Sequence, residues 1–238
     1  MPFAHRYMAS LTLSAVLVSM CAFVGSALAQ PVPFTKDPFT DVPKTHPYYE
    51  AIEYLRKNNI VRGYIDPADP NPQGATFKPD NRINRAEFVQ LATNPFFLSG
   101  ESMNDCLQEH FPGDSTFVVF TDVFRDVWYA DEVCIANIKD LVNGYPDGSF
   151  KPGAYINFVE VAKILSNVFV LNTEEEPGEN WHWPYVEKMG ELHAIPPSVY
   201  RLNSMMTRGE MAEMLFRLKA QNTSKPSKTA AQLKNRYE

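Results

Sequence analysis

Apolar residues recur at the same helical offsets in three places: Phe88, Val89, Leu91 and Ala92; Val161, Ala162, Ile164 and Leu165; Met211, Ala212, Met214 and Leu215. Those offsets put each set on one face of an α-helix. A common polar entry precedes each set: Asn84-Arg85-Ala86-Glu87, Asn157-Phe158-Val159-Glu160 and Thr207-Arg208-Gly209-Glu210. Asn or Thr followed three residues later by Glu is a capping box. The first side chain accepts from a free backbone N–H, and the Glu reaches back to the N-cap. A helix is therefore predicted to start within about two residues of each of Asn84, Asn157 and Thr207. Three copies of one entry pattern indicate an internal repeat.

The repeat extends upstream. Phe39-Thr40-Asp41-Val42 returns letter for letter as Phe120-Thr121-Asp122-Val123, Tyr48 as Tyr129, and Gly63-Tyr64 as Gly144-Tyr145. Phe77-Lys78-Pro79 returns as Phe150-Lys151-Pro152 at a shorter offset, so the first copy carries extra residues between Gly-Tyr and Phe-Lys-Pro. A first helix is predicted over about Pro47 to Asn58, with Tyr48, Ile52 and Leu55 on one face. Gly63 is read as a positive-φ stop after it. The third copy keeps Trp183-Pro184-Tyr185 at a helix start and the Thr-Arg-Gly-Glu cap, but lacks Phe-x-Asp-Val and Gly-Tyr.

These motifs resemble the S-layer homology domain, whose repeat runs Phe-x-Asp-Val, an aromatic-led helix, a Gly-Tyr-x-Asp-Gly-x-Phe-x-Pro turn and a Thr-Arg-Ala-Glu helix. The match is most specific over Val142 to Pro152. The resemblance implies a mainly α fold, with three helix-loop-helix repeats around a pseudo-threefold helical bundle. It also implies a non-catalytic anchor that binds acidic, pyruvylated cell-wall polysaccharide in grooves between repeats.

The implied site residues are Arg85 and Arg208 at the helix starts, Gly63, Tyr64, Gly144, Asp147 and Gly148 in the groove loops, and Trp128 and Trp181 as stacking faces. A guanidinium beside the positive end of a helix dipole is electrostatically awkward unless something negative meets it. A salt bridge to a neighbouring repeat's Asp would do so, and so would a ligand carboxylate held by the guanidinium fork. Copy two has Phe158 in place of the Arg, which puts its groove in doubt and leaves at most two anion sites. Aromatics at such helix starts are more often core than ligand platforms, and Trp128, Trp181 and Trp183 all carry that reading too.

The N-terminus has Arg6, an apolar run from Leu11 to Val24 and a small-x-small exit at Ala27 and Ala29. That pattern reads as a signal peptide cleaved after Ala29, and hence as export; the resemblance implies the cell wall, S-layer or outer envelope as the destination. A retained anchor is the competing reading. No later segment is apolar enough to span a membrane. A formal charge of −6 argues against a nucleic-acid partner. The histidines, His5, His46, His110, His182 and His193, show no metal-ligand spacing, and no cofactor is expected. The acidic oxygens of Asp66 to Asn71 suit Ca²⁺ chemically, but their spacing fits no Ca²⁺ loop.

Glu87, Glu160 and Glu210 are accounted for as caps, and no nucleophile or phosphate-loop motif is present, so no enzyme is expected. The alternative function is structural: a self-assembly or partner-docking module, with other envelope proteins as partners, whose glycan grooves have decayed.

Past the signal, Cys106 and Cys134 remain. An even pair in an exported chain is expected to form a disulfide, with two buried free thiols as the alternative. The expected organisation is signal peptide 1–29, lead-in 30–38, repeat one 39–94, insertion 95–119, repeat two 120–172, degenerate repeat three 173–218 and a flexible polar tail 219–238. No further domain is expected.

Overall fold

The computed structural model describes residues 35–65, 74–97, 106–174, 178 and 180–234. The expected signal peptide and the Asp66–Asn71 loop lie outside the described residues. Eight helices are described: α1 (Tyr49–Lys57), α2 (Arg85–Phe97), α3 (Cys106–His110), α4 (Ala130–Ile138), α5 (Phe158–Val168), α6 (Trp183–Glu191), α7 (Arg208–Ala220) and α8 (Ala230–Lys234). Among the described residues there are isolated β-bridges but no strand. The protein is mainly helical, and none of these helices is long and apolar enough to cross a membrane.

The helices α2, α5 and α7 start one residue after Asn84, Asn157 and Thr207, as the capping boxes predict. Asn157 and Thr207 each accept from the N3 backbone and receive the N3 glutamate in return. Asn84 and Glu87 make the same reciprocal pair.

The residue just before each cap lies on a common axis. Ile83 N–H donates to Met206 O (3.0 Å), Met206 N–H to Ile156 O (2.9 Å), and Ile156 N–H to Ile83 O (3.2 Å). This closed ring of three backbone bonds is a pseudo-threefold axis. All three side chains are fully buried.

Around it, each capped helix takes two carbonyls from the next segment. Arg85 and Ala86 N–H donate to Ala154 and Pro152 O, Phe158 and Val159 N–H to Ser204 and Leu202 O, and Arg208 and Gly209 N–H to Asn81 and Pro79 O. The orphan donors of all three helix starts are thereby satisfied within the protein. The packing follows the same cycle: α2 on α4, α5 on α6, α7 on α1.

The recurring motifs hold the turns that supply those carbonyls. Asp41 accepts from Phe77 and Lys78 N–H, both at 2.7 Å. Asp122 does the same for Phe150 and Lys151 at 2.7 and 2.8 Å. Phe39 packs on Phe77 and Phe120 on Phe150, with ring centroids 5.3 and 5.5 Å apart.

The predicted stop at Gly63 differs. The left-handed residues after the first helices are Asn59, Asp140 and His193, with φ of 56°, 57° and 54°. Gly63 is needed for space instead, because a Cβ there would lie 2.5 Å from Phe39 Cε1 and 2.8 Å from Thr76 O.

The insertion is fastened by a disulfide. Cys106, at the start of α3, is bonded to Cys134 on α4, with Cα atoms 6.2 Å apart. The bond spans 28 residues, so its reduction is expected to cost about 3–4 kcal/mol by loop entropy. Chemical denaturation with and without reductant measures the difference. A shift of less than about 1 kcal/mol would show that the insertion is held by packing alone.

The expected flexible tail also differs. Ser227 Oγ accepts from Ile195 N–H and donates to Ile195 O. Lys225 bridges Glu50 of α1 and the buried Glu213 of α7. In α8, Leu233 is fully buried, and the helix packs on α6. Composition is polar here, but one leucine and two side-chain anchors are enough to dock the segment on the third unit.

Candidate functional site

Two cavities open between neighbouring segments, and they are built alike. The first, of about 370 Å³, is lined by Tyr64, Lys78, Arg82, Glu87, Trp128 and Arg208, among others. The second, of about 440 Å³, is lined by Gly144, Tyr145, Glu160, Lys163, Trp181 and Arg85, among others. Each groove thus combines a loop tyrosine and cap glutamate from one repeat, an arginine from the preceding unit of the cycle and a tryptophan from the following one.

The cap glutamate holds each groove's polar centre. Glu87 Oε2 accepts from Asn84 N–H, while Oε1 accepts from the Tyr64 hydroxyl at 3.3 Å. Glu160 Oε2 likewise accepts from Asn157 N–H, and Oε1 from the Tyr145 hydroxyl at 2.5 Å. Each arginine lies over the ring of its tyrosine: Arg208 at 4.6 Å from Tyr64 and Arg85 at 4.8 Å from Tyr145.

Arg85 Nε donates to Phe150 O at 2.9 Å, and Nη1 pairs with Glu160 at 3.2 Å. Arg208 Nε donates to Phe77 O at 2.8 Å, and Nη2 reaches Arg62 O at 3.4 Å. Among the described residues no carboxylate forms a salt bridge with Arg208, although it is only 4% exposed. Burial pulls its guanidinium below the ordinary value, opposed by Tyr64, Glu87 and Asp41; it remains charged at neutral pH.

Burial pushes both groove tyrosines up to about 12, with the acceptor glutamate adding to the effect and the arginine opposing it. A raised phenol favours the neutral folded form. Its stabilisation is complete below the unfolded value near 10 and is lost as pH rises through about 12. Burial also raises Tyr48 and Tyr129, so spectrophotometric titration is expected to show a late-ionising class of tyrosines that loses two members in the double variant Tyr64→Phe/Tyr145→Phe. Ionisation of every tyrosine near pH ~10 would contradict this placement.

The third junction is built differently. Ser198 follows Pro197 where the other units have Gly-Tyr. Its hydroxyl donates to Glu210 at 2.6 Å and takes the Tyr48 hydroxyl at 2.6 Å. Phe158, fully buried, stands there in the arginine's place.

This corrects one expectation. Phe158 put copy two's groove in doubt, but the arginine beside copy two's loop is Arg85, and Phe158 lies at the third junction instead. Of the two partners open to the helix-start arginines, Arg85 has the protein carboxylate, and it is a glutamate rather than an aspartate. Trp128 and Trp181 are half-buried and line the two grooves. Gly63, Asp147 and Gly148 do not. Asp147 accepts from Ser149 and pairs with Lys151, while Gly148 turns the loop at φ 78°. Sequence reasoning missed Glu87 and Glu160 as groove residues because their capping role already explained them. It also missed Lys78, Arg82 and Lys163. A glutamate with two oxygens can cap with one and face the groove with the other.

Residues 38–89 and 119–162 match the S-layer homology domain. The two matched segments contain the tyrosine and glutamate of each groove and the turn-holding Asp41 and Asp122. Similar proteins include the middle cell wall protein of Brevibacillus brevis, 33% identical over 70% of this chain and 14% of that protein. The cell surface protein of Thermoanaerobacter kivui is 26% identical over 84% of this chain and 24% of that protein. The cellulosome-anchoring protein of Acetivibrio thermocellus is 24% identical over 77% of this chain and 39% of that protein. The chain therefore spans well under half the length of these relatives.

Proposed function

We propose that this chain is a non-catalytic cell-envelope module that binds acidic, pyruvylated cell-wall polysaccharide in its two open grooves. The supporting observation is Arg208: a buried guanidinium without a carboxylate among the described residues, directed into a groove beside Trp128. A ligand carboxylate or ketal-pyruvate would meet the guanidinium, and a sugar ring would stack on the tryptophan. Arg85 and Trp181 would act likewise in the second groove. Gly144 and Tyr145 would shape its wall; Gly63, Asp147 and Gly148 would support the loops.

Residues 173–218 are read as a third, degenerate repeat, because α6 and α7 complete the backbone ring and the packing cycle. The wall and surface names of the relatives, and the anchoring role named for one of them, support an exported location in the cell envelope and a structural rather than enzymatic part. The third junction, with Phe158 in the arginine's place and Ser198 in that of the Gly-Tyr loop, is what favours the alternative, a self-assembly module docking other envelope proteins.

Sedimentation with purified wall sacculi separates the two. The chain is expected to pellet with intact sacculi and to stay in solution once the attached polysaccharide is removed. Pelleting that is indifferent to the polysaccharide would overturn glycan binding.

A further inference from the structure

The two open grooves share the arginine, tyrosine, glutamate and tryptophan but differ in how the arginine is paired. In the groove of Arg85, the guanidinium already holds a carboxylate, that of Glu160 at 3.2 Å. Glu160 Oε1 also takes the Tyr145 hydroxyl at 2.5 Å, so Tyr145, Glu160 and Arg85 form a closed internal unit. Lys163 Nζ stands 5.2 Å from the centre of the Trp181 ring, and both line the same cavity.

In the groove of Arg208 the equivalent carboxylate, Glu87, is held less closely. Its Oε1 takes Tyr64 at 3.3 Å, and no salt bridge joins it to Arg208. Nη1 of Arg208 meets no acceptor among the described residues. Lys78 and Arg82 line the same cavity; Lys78 Nζ lies 4.8 Å from the centre of the Tyr64 ring and Lys151 Nζ 4.0 Å from that of Tyr145, so it is the pairing of the arginine that separates the grooves.

We infer that the groove of Arg208 is the primary site for an acidic sugar, and that Glu160 acts as an internal pseudo-ligand holding the groove of Arg85 in reserve. This rests on the glycan-binding reading and ranks its two sites. An incoming carboxylate at Arg208 gains a buried cation without displacing a partner. At Arg85 it must first displace Glu160, and the displaced carboxylate would then sit beside the ligand's own charge. Like charges at close range repel strongly where water is scarce. Glu160 is therefore a specificity-determining residue of the second groove, besides its role as a cap.

The test is calorimetric titration of the full chain with a methyl hexopyranoside bearing a 4,6-linked pyruvate ketal, against the same sugar without the ketal. The wild-type chain is expected to take up one equivalent of the ketal sugar tightly. Glu160→Gln retains one acceptor oxygen but removes the competing charge. It is expected to strengthen the second site by about tenfold or more, the scale of a charged hydrogen bond, and to raise the titrated stoichiometry to two.

A second readout does not depend on that variant folding. In arginine-labelled wild-type protein, the side-chain resonances of Arg208 should move at lower probe concentration than those of Arg85. Two equal sites in the wild type, or a Glu160→Gln protein that still binds one equivalent, would overturn the ranking and leave glycan binding standing. No uptake of the ketal sugar by either protein would overturn both.

Discussion

The double variant Arg85→Ala/Arg208→Ala is expected to stay in solution when mixed with wall sacculi that pellet the wild-type chain. Each guanidinium is buried and anchored through Nε to a backbone carbonyl of the neighbouring repeat, Phe150 or Phe77. That anchoring fixes the terminal nitrogens toward the groove before any ligand arrives, so little side-chain entropy is lost on binding. A charge-assisted hydrogen bond contributes about 1.5–3 kcal/mol. Losing both arginines is therefore expected to cost about 3 kcal/mol or more, over a hundredfold in affinity, with the larger share from Arg208.

Truncation also takes a donor from three carbonyls, those of Phe150, Phe77 and Arg62. The fold is therefore checked by circular dichroism, with Arg85→Lys/Arg208→Lys as a companion that keeps the charge and loses the planar fork. Pelleting of the alanine variant at wild-type level would remove the arginines from the binding account and favour the protein-docking alternative.

Replacing Gly144 by alanine is expected to destabilise the protein by about 2–5 kcal/mol, combining overpacking with a left-handed backbone. Its φ is 66°, and an added Cβ would lie 2.4 Å from Phe120 Cε1 and 2.8 Å from Ser149 O. The ring cannot retreat freely, because Phe120 is packed on Phe150. Relief would have to come from the loop that carries Tyr145, so the second groove should lose its shape as well.

Gly153→Ala is the matched comparison. It has no neighbour within 4 Å of an added Cβ and no positive φ, and it is expected to change stability by less than about 1 kcal/mol. Urea denaturation measures both. Equal stabilities for the two variants would contradict the packing described at Phe120.

The helix starts were legible because a capping box is a local device. Its donors and acceptors lie within four residues, and the apolar offsets that follow need no distant partner. The disulfide was legible for a similar reason, since few cysteines allow few pairings. The internal repeat was legible because Asp41 and Asp122 each hold a distant Phe-Lys turn, so the two motifs recur together.

Other features depend on contacts that no local pattern encodes. Neither the cap sequence nor the Gly-Tyr loop says that Arg85 serves the loop of the following repeat. That follows from the cyclic donation of Arg85 and Ala86 N–H to Ala154 and Pro152 O. The same cycle moves the consequence of Phe158 to the third junction, where the Tyr48 hydroxyl meets that of Ser198.

The tail shows the limit of composition. Its residues are polar, yet Leu233 and Ser227 find partners on α6 and at Ile195 that only the folded third unit presents. The unequal pairing of the two groove arginines is likewise a tertiary outcome. Glu87 and Glu160 occupy identical places in the repeat, and only the packed distances to Arg208 and Arg85 set them apart. Sequence by itself determined where the chain coils, caps and repeats, because those depend on neighbours a few residues away. Tertiary structure alone decided which repeat completes which groove, because that depends on how the three units close around their axis.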